Sequence, residues 1–398
     1  MQHAPNSSHG FTLMELMVAA TVGLVLIGGA VSLFTQGMKA SFATSEKSEM
    51  QQDFRAAANL LQRDISMAGA GALGQQGLGG NAVGLPTGGA AIKSIYPCTS
   101  VSNGDTCNYI NGTSVAYPNS LSGTQNLYSI IPGPSLGITV NGNVTDIITV
   151  AYADGGLALN CYVPSINAAA TIVTFQLPTP LPSTCILPTN VATPQSLVYS
   201  STNAPGDSSA GLQVGDMILF GTNTAVGVVS GLATVCAPTS AAYSACYSVP
   251  FAAGDPGHIN QPTIATGSLV GLPTAPALTN PSPVRLLTVT YYLAIPPSTG
   301  LPTLMRLQSG RPPAPVAENV VDLKFTFDVT SNGITYPSQI TLPAGTTPAQ
   351  ITQVNIAHMT MRSQLPGISG YQGLDLQTSI SARNLTFGTE YPGIPISN

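Results

Sequence analysis

At 398 residues, 43% of them hydrophobic and with a net charge of only −5, the chain is long enough for a substantial core, and its composition is not that of a disordered protein. Only 7% of residues are charged, against about 25% in ordinary domains, and no Lys or Arg occurs between Lys93 and Arg285, which argues against a nucleic-acid backbone as partner. The 41 glycines and 33 prolines suit an extracellular, β-rich protein with long loops.

Residues 1–10, MQHAPNSSHG, are polar and contain no Lys or Arg. Residues 11–34 follow as an apolar run with a single charge, Glu15. As a helix this run spans about 36 Å, enough for a hydrocarbon core of about 30 Å. A carboxylate inside such a segment is costly and calls for a partner or a task. The generic alternative is a secretory signal cut near Gly28-Gly29-Ala30. Against it, the basic start of such a signal is missing and the helical pattern runs on. In residues 35–69, Met50, Phe54, Leu61, Ile65 and Ala68 recur at helical spacing. Glu46, Lys47, Glu49, Asp53, Arg55, Arg63 and Asp64 are expected on the wetter faces. No proline occurs from residue 6 to residue 85, so one helix is predicted from about Thr12 to Met67.

Gly69 is the expected C-cap, and the glycines of residues 70–94 form a linker. Residues 95–283 are short apolar alternations between Pro, Gly and Asn clusters. Strands are predicted at Asp146–Tyr152, Thr171–Leu177, Asp216–Phe220 and Ala225–Ser230, with Val214-Gly215-Asp216 as a turn and Pro262–Pro283 as a loop. Residues 284–398 are more regular, with strands predicted at Val284–Ile295, Leu304–Gln308, Asn319–Val329, Thr352–Arg362 and Leu374–Phe387.

The cysteines are Cys98, Cys107, Cys161, Cys185, Cys236 and Cys246. None has the CxxC spacing of a zinc site, and the even count in loop-rich sequence reads as disulfides of an oxidising compartment. Fifteen connectivities are open, as are buried free thiols. Sequential pairing is expected because each pair closes a short loop. Asn141, Asn143 and Asp146 suggest a calcium loop only weakly; an Asx turn is the better reading. No GxSxG, Walker loop, GxGxxG or HExxH occurs, and His258 and His358 read as structural, so no catalytic or metal site and no cofactor is expected.

Gly10-Phe11-Thr12-Leu13-Met14-Glu15-Leu16 resembles the type IV prepilin signature. The following Met17–Leu24 run, and the Leu60-Leu61-Gln62-Arg63-Asp64-Ile65 stretch before Met67-Ala68-Gly69, resemble the minor pilins called PilW. Residues 317–325 and 381–385 look like sheet segments of PilW and of the type II secretion pseudopilin GspJ. Here the leader lacks its usual basic residue, and the helix lacks the proline of many major pilins.

The resemblance implies an α+β pilin fold, in which a long N-terminal helix packs on an antiparallel head carrying a large β-rich insertion. It further implies cleavage after Gly10 and methylation of Phe11 by a prepilin peptidase. Glu15 would neutralise the N-terminal amine of a neighbouring subunit. The implied partners are other minor pilins, the major pilin and an inner-membrane assembly platform. The implied location is a single pass through the inner membrane, head in the periplasm or outside, and then a pilus or pseudopilus at the cell surface. A GspJ-like pseudopilin and, from another class, a membrane-anchored or secreted adhesin are the alternatives.

Overall fold

The computed structural model describes residues 11–70, 82–84, 126–183, 185–187, 192–199, 211–221, 225–253, 255, 259–261, 268–274, 283–308, 311–362 and 373–381. They fall into two compact units, helix residues 11–52 and a head containing residues 53–362 and 373–381.

A single helix, Leu13–Ser66, runs 54 residues through both. Good helix formers and the lack of proline allow that length. In the first unit Leu13, Met14, Leu16, Met17, Val22, Leu24, Leu26, Ile27, Leu33 and Phe34 are all exposed. In the head, Phe54, Ala57, Leu61, Ile65 and Ala68 are buried, as their spacing predicts. Gly69 follows the helix at φ +75°, the left-handed geometry that favours glycine after a helix. The exit then pairs with a strand: Gly69 N–H donates to Ala151 O, and Ala153 N–H donates to Ala70 O, both at 2.8 Å.

Among the described residues the central sheet has seven antiparallel strands. Its spine is Pro283–Ala294, a run buried along nearly its whole length because neighbours cover both faces. One side of the spine pairs with Ile147–Asp154, and the other pairs with Met217–Phe220 at its start and Thr303–Gln308 at its end. Ala225–Val228, Ala314–Glu318 and Ile130–Gly133 complete the sheet. Strands from within residues 95–283 thus share one sheet with strands of the C-terminal third.

A second sheet runs in the order Thr234–Val235, Tyr243–Pro250, Ile172–Pro178, Val163–Ile166. Its core joins the first sheet through Phe220, whose ring stacks on Phe175 and meets Phe251 edge-on, both at 6.0 Å between centroids. The third sheet runs Ile334–Gln339, Val320–Ser331, Ile351–Arg362, Gly373–Ser381. One face is apolar and buried, with Val320, Leu323, Phe325, Phe327 and Val329 opposite Met361, Met359, Ile356, Val354 and Ile351. Asn319, at φ +58°, turns the chain from Ala314–Glu318 into this sheet.

The predicted strands agree with the observed ones to within a residue or two wherever both are described. Residues 382–387 of the last predicted strand lie outside the described residues, as do His258, Cys98, Cys107 and most of the glycine-rich linker. One expectation is overturned. Asp64 is not on a wet face but buried in the head, because Tyr291 and Arg306 donate to its carboxylate.

Candidate assembly segment and the buried anchors of the head

Gly10 lies outside the described residues, and Phe11 is exposed at the start of the helical segment. Thr12 is the N-cap. Its Oγ1 accepts from Glu15 N–H at 3.3 Å, while Glu15 Oε2 accepts from Thr12 N–H at 3.0 Å and from Thr12 Oγ1–H at 3.1 Å. This reciprocal capping box satisfies donors that a helix start would otherwise leave open. The Thr-x-x-Glu spacing is the sequence signature of such a box, a role for Thr12 that the prepilin resemblance does not imply. Among the described residues Thr12 is the donor to Glu15, through Oε2, so the carboxylate is held at the helix start with Oε1 open to an incoming cation. The segment that follows is the one helix among the described residues long and apolar enough to cross a membrane.

Two buried polar clusters fix the head. In the first, Asp64 on the helix accepts from Tyr291 Oη–H at 2.6 Å and from Arg306 Nε–H at 2.7 Å. Tyr291 and Arg306 are directly opposite on adjacent strands, so one helical carboxylate clasps two strands. Burial beside Asp64 pushes the Tyr152 hydroxyl up to about 12 and the Tyr291 hydroxyl further still. Burial lowers Arg306, but the Asp64 carboxylate outweighs it and raises the guanidinium overall. A signal for Asp64 existed: it stands three residues after Leu61 and four before Ala68, on the buried stripe.

In the second cluster Arg285, fully buried, bonds Asp154 through Nε at 2.9 Å and also through Nη2, and reaches Asp216 through Nη1 at 3.3 Å. Arg311 lies 3.7 Å from the other oxygen of Asp216. Burial raises the Asp216 carboxyl, partly countered by Arg285 and Arg311. The cluster thereby joins the loop before Met217–Phe220 to the spine strand. Its members are scattered over residues 154–311, so no local pattern could reveal it.

Asp146, weighed above for calcium, is fully engaged. Its carboxylate accepts from Ser135 N–H at 2.8 Å, Phe325 N–H at 2.9 Å and Lys324 Nζ at 3.1 Å. Among the described residues no group of His, Cys, Asp or Glu is placed to hold a metal ion. The structure pairs Cys161 with Cys185 and Cys236 with Cys246. The second bridge is flanked by a Cys236 N–H to Cys246 O bond of 3.0 Å.

Residues 5–31 match a family model described as the prokaryotic N-terminal methylation motif. That match supports a type IV pilin-like prepilin, a substrate of N-terminal processing. Together with the exposed apolar helix it fits a membrane-anchored pilin that enters a pilus. No curated protein and no solved structure matches the chain significantly.

Proposed function

We propose that this chain is a PilW-type minor pilin, cut after Gly10, methylated on Phe11 and placed at the tip of a pilus, where it primes assembly with other minor pilins. The observation that carries the reading is the methylation motif across residues 5–31, running straight into an exposed apolar helix capped by Thr12 and Glu15. Within a stack of such helices, a buried carboxylate and a buried ammonium are each costly alone and tolerable together. Pairing Glu15 with the Phe11 amine of the adjacent subunit therefore favours one axial offset.

Head size supports the tip position. Residues 70–398 follow the helix, and heterologous packing of so large a portion along a shaft would require every copy's upper surface to receive the next copy's lower one. A single terminal copy is free of that requirement. Residues 95–283, the proposed insertion, would then be available for initiation or surface contact.

Mass spectrometry of the mature N-terminus, with quantification of the chain in sheared filaments, tests the reading. The expected results are N-methylated Phe11 and an abundance far below that of the major pilin. A mature terminus near Val31, or an uncut Met1, overturns the prepilin reading. Abundance near the major pilin's overturns the tip role alone.

A further inference from the structure

An unpaired strand edge is a template for another strand, and proteins guard such edges with proline, short length, charge or a side-chain cap. The guards are visible on the outer strands of the three larger sheets. Ala314–Glu318 carries Pro315, Ile130–Gly133 carries Pro132, Val163–Ile166 carries Pro164 and Ile334–Gln339 carries Pro337. Thr234–Val235 is two residues long. Ala225–Val228 is capped by a side chain, with Asn260 Oδ1 accepting from Val228 N–H and Asn260 Nδ2 donating to Val228 O, both at 2.8 Å.

Among the described residues, Gly373–Ser381 has no proline, short length or side-chain cap to guard it, and it carries one charge, Asp375. Its nine residues, GLDLQTSIS, contain no proline, lysine or arginine, and it pairs only with Ile351–Arg362. Among the described residues no strand lies along its other side. Its burial also breaks off at the edge. Met359 and Met361 are buried, whereas Leu376 and Leu374, directly opposite them on the same face, are only half-buried. Asp375, Gln377, Ser379 and Ser381 alternate with them on the exposed face.

We infer that this edge receives an extended strand from a different pilin-type subunit, by β-addition. The inference rests on the assembly reading above, since stacked apolar helices are what bring subunits together. The incoming strand continues the alternation, with apolar residues beside Leu374 and Leu376 and a basic residue beside Asp375. Asp375 is the single charge on the edge, and three donors, from His358, Thr360 and Gln377, hold it on the sheet surface. A second copy of this edge is a poor occupant, because it brings another Asp375, already bonded to its own His358, and no lysine or arginine to the seam.

The test uses the full chain in cells that assemble filaments, with a benzoylphenylalanine crosslinker at Ser379 and, as reference, at Ser338 on the proline-guarded edge. The expected crosslink from Ser379 is to a strand segment of another processed prepilin-type subunit, at least tenfold stronger than from Ser338. Leu376→Lys adds a charge to the inner face of the edge; a half-exposed lysine can extend to solvent, so the head stays folded. Its crosslink is expected to fall at least tenfold, with hydrogen-exchange protection of Val320–Ser331 unchanged. Absence of the Ser379 crosslink overturns the proposal, as does a crosslink to a second copy or to this chain's own residues 382–398. A crosslink indifferent to Leu376→Lys overturns it as well. If Phe11 is the mature terminus and the crosslink is absent, the edge proposal fails while the pilin reading stands.

Discussion

Replacing Asp64 with alanine removes the acceptor shared by Tyr291 and Arg306, and the structure sets the size of the loss. Breaking a buried ion pair by removing one partner typically costs about 3–5 kcal/mol. Here the lower end applies, because the Arg306 side chain is 20% exposed and keeps a 3.1 Å bond from Nη1 to Gln308 Oε1. Tyr291, by contrast, is completely buried and its hydroxyl loses its acceptor. About 3 kcal/mol for Asp64→Ala follows, and about 2 kcal/mol for Tyr291→Phe, which removes one charge-assisted hydrogen bond but leaves Asp64 paired with Arg306. For a head this large, 1 kcal/mol corresponds to about 2 °C in Tm, so the alanine variant should melt about 6 °C lower. The assay is thermal unfolding of the processed chain in detergent for both single variants and the double. Because the two residues share one bond, Tyr291→Phe should cost almost nothing in the Asp64→Ala background. Strictly additive losses, or an alanine variant within 1 °C of the parent, would refute the clasp.

Glu15→Val should still be cut and membrane-held yet give few filaments, counted by electron microscopy, while Gly10→Val should accumulate as uncut precursor. Normal filament numbers from Glu15→Val would remove the proposed pairing with the Phe11 amine. Non-reducing peptide mapping should recover Cys161–Cys185 and Cys236–Cys246, with Cys98–Cys107 expected as the third, and loss of either described bridge should cost about 2–4 kcal/mol. Burial pushes the Asp375 carboxyl up, but donors on His358, Thr360 and Gln377 outweigh it and hold the group below its ordinary 3.8. Its folded-state value is depressed, so its contribution is present above about pH 4 and is lost as pH falls through the lower, folded value. Asp375→Asn should therefore flatten the fall of Tm below pH 4, and an unchanged acid limb would count against the cluster.

The sequence by itself determined the parts whose physics is local. A 24-residue apolar run, the absence of proline from residue 6 to 85 and the stripe Phe54, Leu61, Ile65, Ala68 specify one helix that changes from apolar to amphipathic. Period-two alternation located Val320–Ser331 and Ile351–Arg362, because a sheet with one buried face writes its pattern into consecutive residues. Thr12 and Glu15, three residues apart, were likewise legible as a cap. Only the tertiary structure decided which strands meet and which charges are buried. Pro283–Ala294 gathers partners from residues 147–154, 217–220 and 303–308, a choice set by backbone pairing that no local pattern encodes. Arg285 finds Asp154 and Asp216 only after that sheet forms, and Asp64 sits on a buried stripe only because Tyr291 and Arg306, more than 200 residues away, satisfy it there. A buried charge is tolerated where its partners converge, and convergence from distant sequence is a property of the folded chain.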